Sequence, residues 1–217
     1  MLHKFQIHAF VLIFMFRITS VFGQPSSSMI TSASEARMAI EKFLVASGRT
    51  VDEFHNISIK DQAGLLKETY IASLSKHNSP LTRYIIFKDE RVVPLDLEQL
   101  ITAYQKEMIE ASSTLERKTI AMSLIRLADD DGPVFISQLS DIPGYKRHSI
   151  DRDLENMVRA PWEYKSRRGG IYVVLYTYTQ FGGVVRRYKF LFNEFGLLHP
   201  ADVFTFGYDI GYASYPE

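Results

Sequence analysis

The sequence contains no cysteine. Disulfides, thiolate metal sites, a cysteine nucleophile and a lipid-modified N-terminal cysteine are thereby excluded, so stability has to come from an apolar core. No apolar run approaches the ~20 residues that a helix needs to cross a ~30 Å hydrocarbon layer. Charge of one sign is also lacking, with 25 Lys and Arg against 25 Asp and Glu. A nucleic-acid binder usually gathers a basic excess into a stripe, and none is expected here. The common catalytic signatures are missing too. There is no Gly-rich loop ending in Gly-Lys-Ser/Thr, no G-x-S-x-G elbow and no His-Glu-x-x-His pair. No metal and no cofactor is expected.

What is present begins at the N-terminus. Lys4 precedes Phe5 to Phe16, an apolar run broken by Gln6 and His8 and stopped by Arg17. Too short for a span, it has the length of a secretory h-region, about 7 to 15 residues. Val21 and Gly23 then stand three and one residues before a plausible cleavage point. Residues 1–23 are read as a signal peptide. The competing reading is an uncleaved membrane-surface anchor, suggested by Arg17 and His8. Loss of Lys4 and Arg17 leaves 23 basic residues against 25 acidic ones, so the mature chain stays nearly neutral, and no membrane span is expected in it. The absent disulfides favour a bacterial periplasmic or extracellular setting, because small secreted animal domains commonly rely on them.

The mature chain of roughly 190 residues is long enough for one unstapled core or two small ones. Residues 24–33 read as a flexible leader and 34–217 as a single domain, divisible into units 34–95 and 133–217 joined by helices within 96–128. Ser32 and Glu35 have capping-box spacing ahead of Ala36, Ile40, Phe43 and Leu44, which recur at helical intervals until Gly48. Phe54 to Lys60, Leu66 to Leu74 and Thr82 to Val93 are β-rich and read as a meander, the last stretch folding into a hairpin at Lys88-Asp89-Glu90-Arg91. Asp96 suits the N-cap of a second helix. Ser113 and Glu116 open a third, ended by Asp129-Asp130-Asp131-Gly132-Pro133. Val134 to Ile136 is a short apolar segment, and Ser149 caps a short helix that Pro161 must end.

At the C-terminal end, Ile171 to Thr179, Val184 to Phe192 and Asp202 to Tyr208 form a second meander. The fold class is α+β, with helix-plus-antiparallel-meander units around a central helical pair. Arg83-Tyr84-Ile85-Ile86-Phe87-Lys88-Asp89-Glu90 echoes Arg187 to Glu194 in residue type, which would suit a degenerate duplication.

Taking Gly182-Gly183 as a two-residue turn pairs Phe181 with Val184 and turns Val173, Leu175, Tyr188, Phe190 and Phe192 to the core. The opposite face carries Tyr172, Val174, Tyr176 and Tyr178 beside Arg187 and Lys189, and two readings are open for it: a wet face, or one covered by the central helices with the tyrosines in the core. Rings and cations on adjacent strands can stack sugars or hold anionic groups, so Tyr176, Tyr178, Arg187 and Lys189 are the candidate binding residues. The bland alternative is a cross-strand ladder that only stabilises the sheet.

Other candidates are weaker. His55, His77, His148 and His199 stand far apart in or beside predicted loops. The acids 129–131 are contiguous, whereas calcium loops alternate ligands with spacers. Asp151-Arg152-Asp153 more economically complements a helix dipole. Asn56-Ile57-Ser58 is a glycosylation sequon, relevant only in a eukaryotic host. Trp162, beside Tyr164, reads as a plug anchoring the last sheet to the helices, with a binding platform as the alternative.

The expectation is an exported, non-catalytic binding or interaction protein whose partner is a protein or an envelope ligand. The alternatives are a secreted hydrolase, with His148 or His199 oriented by Asp151 or Asp202, and a structural envelope component. Cleavage after Gly23 makes a definite prediction: N-terminal sequencing of the exported chain should begin at Gln24, and a chain retaining Met1 would establish the anchor instead.

Overall fold

The computed structural model describes residues 29–61, 65–129, 132–145 and 152–207. The expected signal peptide, residues 24–28 of the leader, Asp130, Asp131, His148, Ser149 and Asp151 lie outside the described residues. Among the described residues, four α-helices and two antiparallel sheets make up an α+β fold.

Local signals place the helices. Helix α1, Ala33–Ala46, is opened by Ser32, whose hydroxyl accepts the Glu35 N–H, while the Glu35 carboxylate accepts the N–H groups of Thr31 and Ser32. That reciprocal arrangement satisfies donors that the first turn leaves free. Helix α2, Leu97–Lys106, is capped by Asp96, which accepts from the Gln99 N–H at 2.7 Å. Helix α3, Thr114–Ala128, repeats the capping box with Ser113 and Glu116.

The first sheet runs in chain order: β1 Asn56–Asp61, β2 Thr69–Ser75, β3 Thr82–Phe87 and β4 Val92–Pro94. The expected hairpin in the third stretch is therefore real. The second sheet contains β5 Val134–Phe135, β6 Trp162–Lys165, β7 Ile171–Thr179, β8 Val184–Phe192 and β9 Leu198–Gly207, with helix α4, Arg152–Met157, between β5 and β6. Strands β7, β8 and β9 are adjacent in that order. Both β5 and β6 lie along the other side of β7, β6 against its first residues and β5 against Thr177 and Tyr178. The two echoing segments occupy the same place, each the strand that precedes the last of its meander together with the turn that follows.

Helices α2 and α3 fill the space between the sheets. Leu100, Ile101, Tyr104, Ala121, Leu124 and Ile125 pack with Ile71, Ile85 and Phe87 of the first sheet and with Val173, Leu175, Tyr188, Phe190 and Phe192 of the second. Each large apolar side chain buried there contributes roughly 2 kcal/mol. Helix α1 covers the far face of the first sheet through Ala36, Ile40 and Leu44, which pack with Tyr70, Leu74, Tyr84 and Ile86. Ile30 joins this cluster, and its N–H donates to the Lys88 carbonyl at 2.9 Å. The leader expected to run free to Ala33 is thus anchored from Ile30, because an apolar side chain there finds the groove beside α1.

Two further expectations change. The β7–β8 turn has four residues, Gln180 to Gly183, with Gly182 at φ 74° and Gly183 at φ 55°, so Thr179 rather than Phe181 pairs with Val184. Positive φ at both glycines closes the wider loop. The pairing slides by two residues, one full pleat repeat, so every side chain keeps its expected face. Strand β9 also begins at Leu198, four residues before the expected Asp202, and takes in Pro200, which a strand at the sheet edge tolerates.

Gly196 separates steric fit from backbone strain. At φ +77° a Cβ there would lie 2.6 Å from the Ala111 carbonyl oxygen, whereas Gly48, also at φ +77°, has open space. Gly196→Ala should therefore destabilise by more than about 2 kcal/mol and Gly48→Ala by only about 1 kcal/mol, as read from urea unfolding midpoints. Equal losses would mean that strain alone sets the cost.

Candidate functional site

The four candidate residues do share one face of the second sheet, and Tyr176 pairs directly with Arg187. That face is not wet throughout. Tyr176 is 4% and Tyr178 1% exposed, which corrects the expectation of four accessible residues. The cover is the segment that follows α3, not the central helices. Val134 and Phe135 pair with Tyr178 and Thr177, the Ile136 N–H donates to the Tyr176 carbonyl at 3.1 Å, and Ile136, Leu139, Ile142 and Val158 then pack over the two tyrosines. Burial raises both phenol pKa values, so the hydroxyls keep their protons.

Beyond that cover the face stays half-exposed, and there Arg187 and Lys189 meet aromatic rings from three other strands. Strand β6 pairs Trp162 with Val174 and Tyr164 with Tyr172, so both rings stand on the same face as the cations. Trp162 stacks on Tyr164 with centroids 4.9 Å apart, and Tyr164 stacks on Tyr172 at 4.9 Å. The Lys189 ammonium lies 4.1 Å from the Tyr172 ring centre. A hydrogen bond with Tyr164, then the neighbouring Tyr172 and Asp202, raise the Lys189 pKa against the opposing effect of burial. The Arg187 guanidinium sits over Phe204 at 5.6 Å and Phe206 at 5.3 Å, both on β9. Arg159 covers Trp162 at 5.4 Å. Trp162 is half-buried and packs against the edge of the covering cluster rather than reaching the helices, and its buried indole Nε1 has no hydrogen-bond partner.

Sequence reasoning missed Trp162 and Tyr164 as members of this face because β6 is short and follows Pro161. The signal was the alternation Trp162-Glu163-Tyr164-Lys165, ring then charge with period two. On the inner side of the same strand, Glu163 meets Arg117 of α3. Arg117 Nε donates to Glu163 Oε1 and Nη2 to Oε2, each at 3.1 Å, and the Thr114 hydroxyl donates to Oε2 at 2.8 Å. The pair is 9% and 14% exposed. Burial alone would push the Glu163 carboxyl up, but the hydrogen bonds from Arg117 and Thr114 outweigh it and hold the pKa below the usual carboxylate value. This two-pronged contact fixes β6, and with it two of the stacked rings, to the central helices.

A cleft of about 580 Å³ opens beside the pair, between the start of α3, the β6–β7 turn and the β8–β9 turn. Its charged lining is mixed, with Glu110 and Glu194 against Lys165. The α3 N-terminus there is already satisfied by the Glu116 carboxylate, which accepts from the N–H groups of Ser112 and Ser113.

The remaining candidates are dispersed. His55 makes a local contact with the Ser75 hydroxyl at 3.2 Å, and His199 and Asp202 stand exposed along β9, opposite Leu191 and Lys189. Asp129, at the C-terminal end of α3, accepts a hydrogen bond from Arg186 of β8 at 3.3 Å and ties α3 to the sheet. Among the described residues no group of three or more His, Asp or Glu side chains is placed to hold a metal ion, and no helix is long and apolar enough to cross a membrane.

The Glu163 contact predicts a pH dependence. A carboxyl whose folded pKa lies below its unfolded value near 4.5 contributes stability that is complete above that value and lost as pH falls through the folded one. Glu163→Gln should therefore flatten the loss of stability between about pH 5 and pH 3, measured by urea unfolding across that range. Arg117→Met should cost about 3 kcal/mol at neutral pH by stranding the carboxylate, and Arg117→Met with Glu163→Leu should recover part of it.

No protein-family model, curated protein or solved structure matches this chain.

Proposed function

We propose that this is an exported binding protein that engages an envelope or extracellular ligand through the uncovered part of the outer face of its second sheet. Arg187 and Lys189 are its polar anchors, with Trp162, Tyr164, Tyr172 and Phe204 around them. The N-terminal apolar run ahead of Gln24 supports export, and a nearly neutral chain with a local ring-and-cation strip supports a surface made for contact. The observation that carries the proposal is the ordering of both cations by rings: Lys189 rests 4.1 Å from the centre of Tyr172, and Arg187 is held over Phe204 and Phe206. Long cationic side chains usually retain their rotamer freedom on a surface, and ordering them beforehand lowers the entropy lost on binding. Phe204 is 53% exposed, more than a ring serving the core alone would be.

The test is co-sedimentation of the chain from Gln24 with the insoluble envelope fraction of the source organism, beside Arg187→Ala/Lys189→Ala and with thermal unfolding in parallel. Binding should weaken at least about tenfold, ~1.4 kcal/mol, with a melting temperature close to that of the parent. Unchanged binding would remove this face from the account, and lost stability with unchanged binding would make it scaffold.

A further inference from the structure

Resting on that reading, the geometry points to a linear anionic glycan as the occupant of the strip. Three observations converge on that chemistry. The first is ring orientation. Trp162, Tyr164 and Tyr172 turn their faces to one another, at interplanar angles of 24° and 26°, while Lys189 and Arg159 lie over the Tyr172 and Trp162 rings. The row therefore presents ring edges, which carry the positive end of the aromatic quadrupole, together with phenol hydroxyls and cations. Flat stacking on a neutral sugar would need the faces that this row has already used.

The second observation is local charge. The β6–β7 turn adds Arg167 and Arg168 to this end of the sheet, both exposed. These two, with Arg159 and Arg187, form no ion pair among the described residues. Acids stand nearby as well: Asp202 opposite Lys189, Glu194, whose carboxylate approaches Gly169 in the turn, and Glu110 in the same cleft. In a chain without basic excess, this local surplus calls for a negatively charged occupant.

The third is spacing. Arg187 pairs with Tyr176 and Lys189 with Val174, while the basic turn begins beyond Ile171. At ~3.3 Å per residue the cations follow one another over about 17 Å of strand. That extent suits a polymer with a charge on successive units better than one small ion. A membrane surface fits less well, because rings capped by cations cannot enter the acyl region without dehydrating those charges.

The probe is an oligogalacturonate, with neutral dextran and phosphatidylglycerol/phosphatidylcholine vesicles alongside, each titrated against the chain from Gln24. The oligogalacturonate should bind, with Kd rising about tenfold between 50 and 300 mM salt as the exposed cations are screened. Arg167→Ala/Arg168→Ala, exposed turn substitutions, should weaken that binding about threefold or more with the melting temperature unchanged. Equal binding of dextran, salt-independent binding, or binding confined to vesicles would each overturn the anionic glycan. If no probe binds while Arg187→Ala/Lys189→Ala still abolishes co-sedimentation with the envelope fraction, the glycan is overturned and the recognition face survives. If that variant also leaves co-sedimentation intact, both fall.

Discussion

Everything in this fold depends on a helical pair that must bury apolar side chains in two directions at once. Helices α2 and α3 face a sheet on either side, and one continuous cluster runs from Ile71 and Ile85 through Leu100, Leu124 and Ile125 to Val173 and Phe190. Without disulfides, this layer is what joins the two meanders. It also dictates the alternation of β7 and β8, since one face of each must be apolar. The outer face is left to adopt a different composition.

That outer face is divided along its length. The chain leaving α3 pairs with the end of β7, carries Ile136, Leu139 and Ile142 across Tyr176 and Tyr178, and returns along the beginning of β7 as β6. Covered and uncovered parts of the face thus belong to the same strands, and the boundary falls between Tyr176 and Arg187. Strand β6 works on both sides of the sheet. Glu163 reaches inward to Arg117, and Trp162 and Tyr164 reach outward to Tyr172. The rings are therefore placed by a charge-assisted contact on the side they do not share.

Most of the fold was legible because local chemistry determined it. The caps at Ser32, Asp96 and Ser113 and the β-rich runs of β7 and β8 are signals that neighbouring residues carry by themselves. The facing of β7 and β8 survived a wrong turn because a slide of two residues leaves parity intact. Burial of Tyr176 and Tyr178 was not legible, because it depends on where a distant segment with weak local preference comes to lie. Pairing of Glu163 with Arg117, 46 residues away, was hidden for the same reason. Lys189, Arg187 and Tyr172 were placed on one face from alternation, and the meander reading brought β9 beside β8, but the rings of β6 come from a short strand whose pairing no local pattern announced.

Strand β9 ends the second sheet and contributes Phe204 and Phe206 to the ring-and-cation strip. Among the described residues no strand pairs with the outer edge of β9, and a ten-residue edge invites another chain to continue the hydrogen-bonding ladder. Two features of this strand discourage it: Pro200 has no N–H to offer, and Asp202 puts an exposed charge on the strand. Edge-blunting residues and aromatic rings are thus interleaved along one strand, so substitutions that make β9 a smoother strand would alter its edge and its ring-bearing face together.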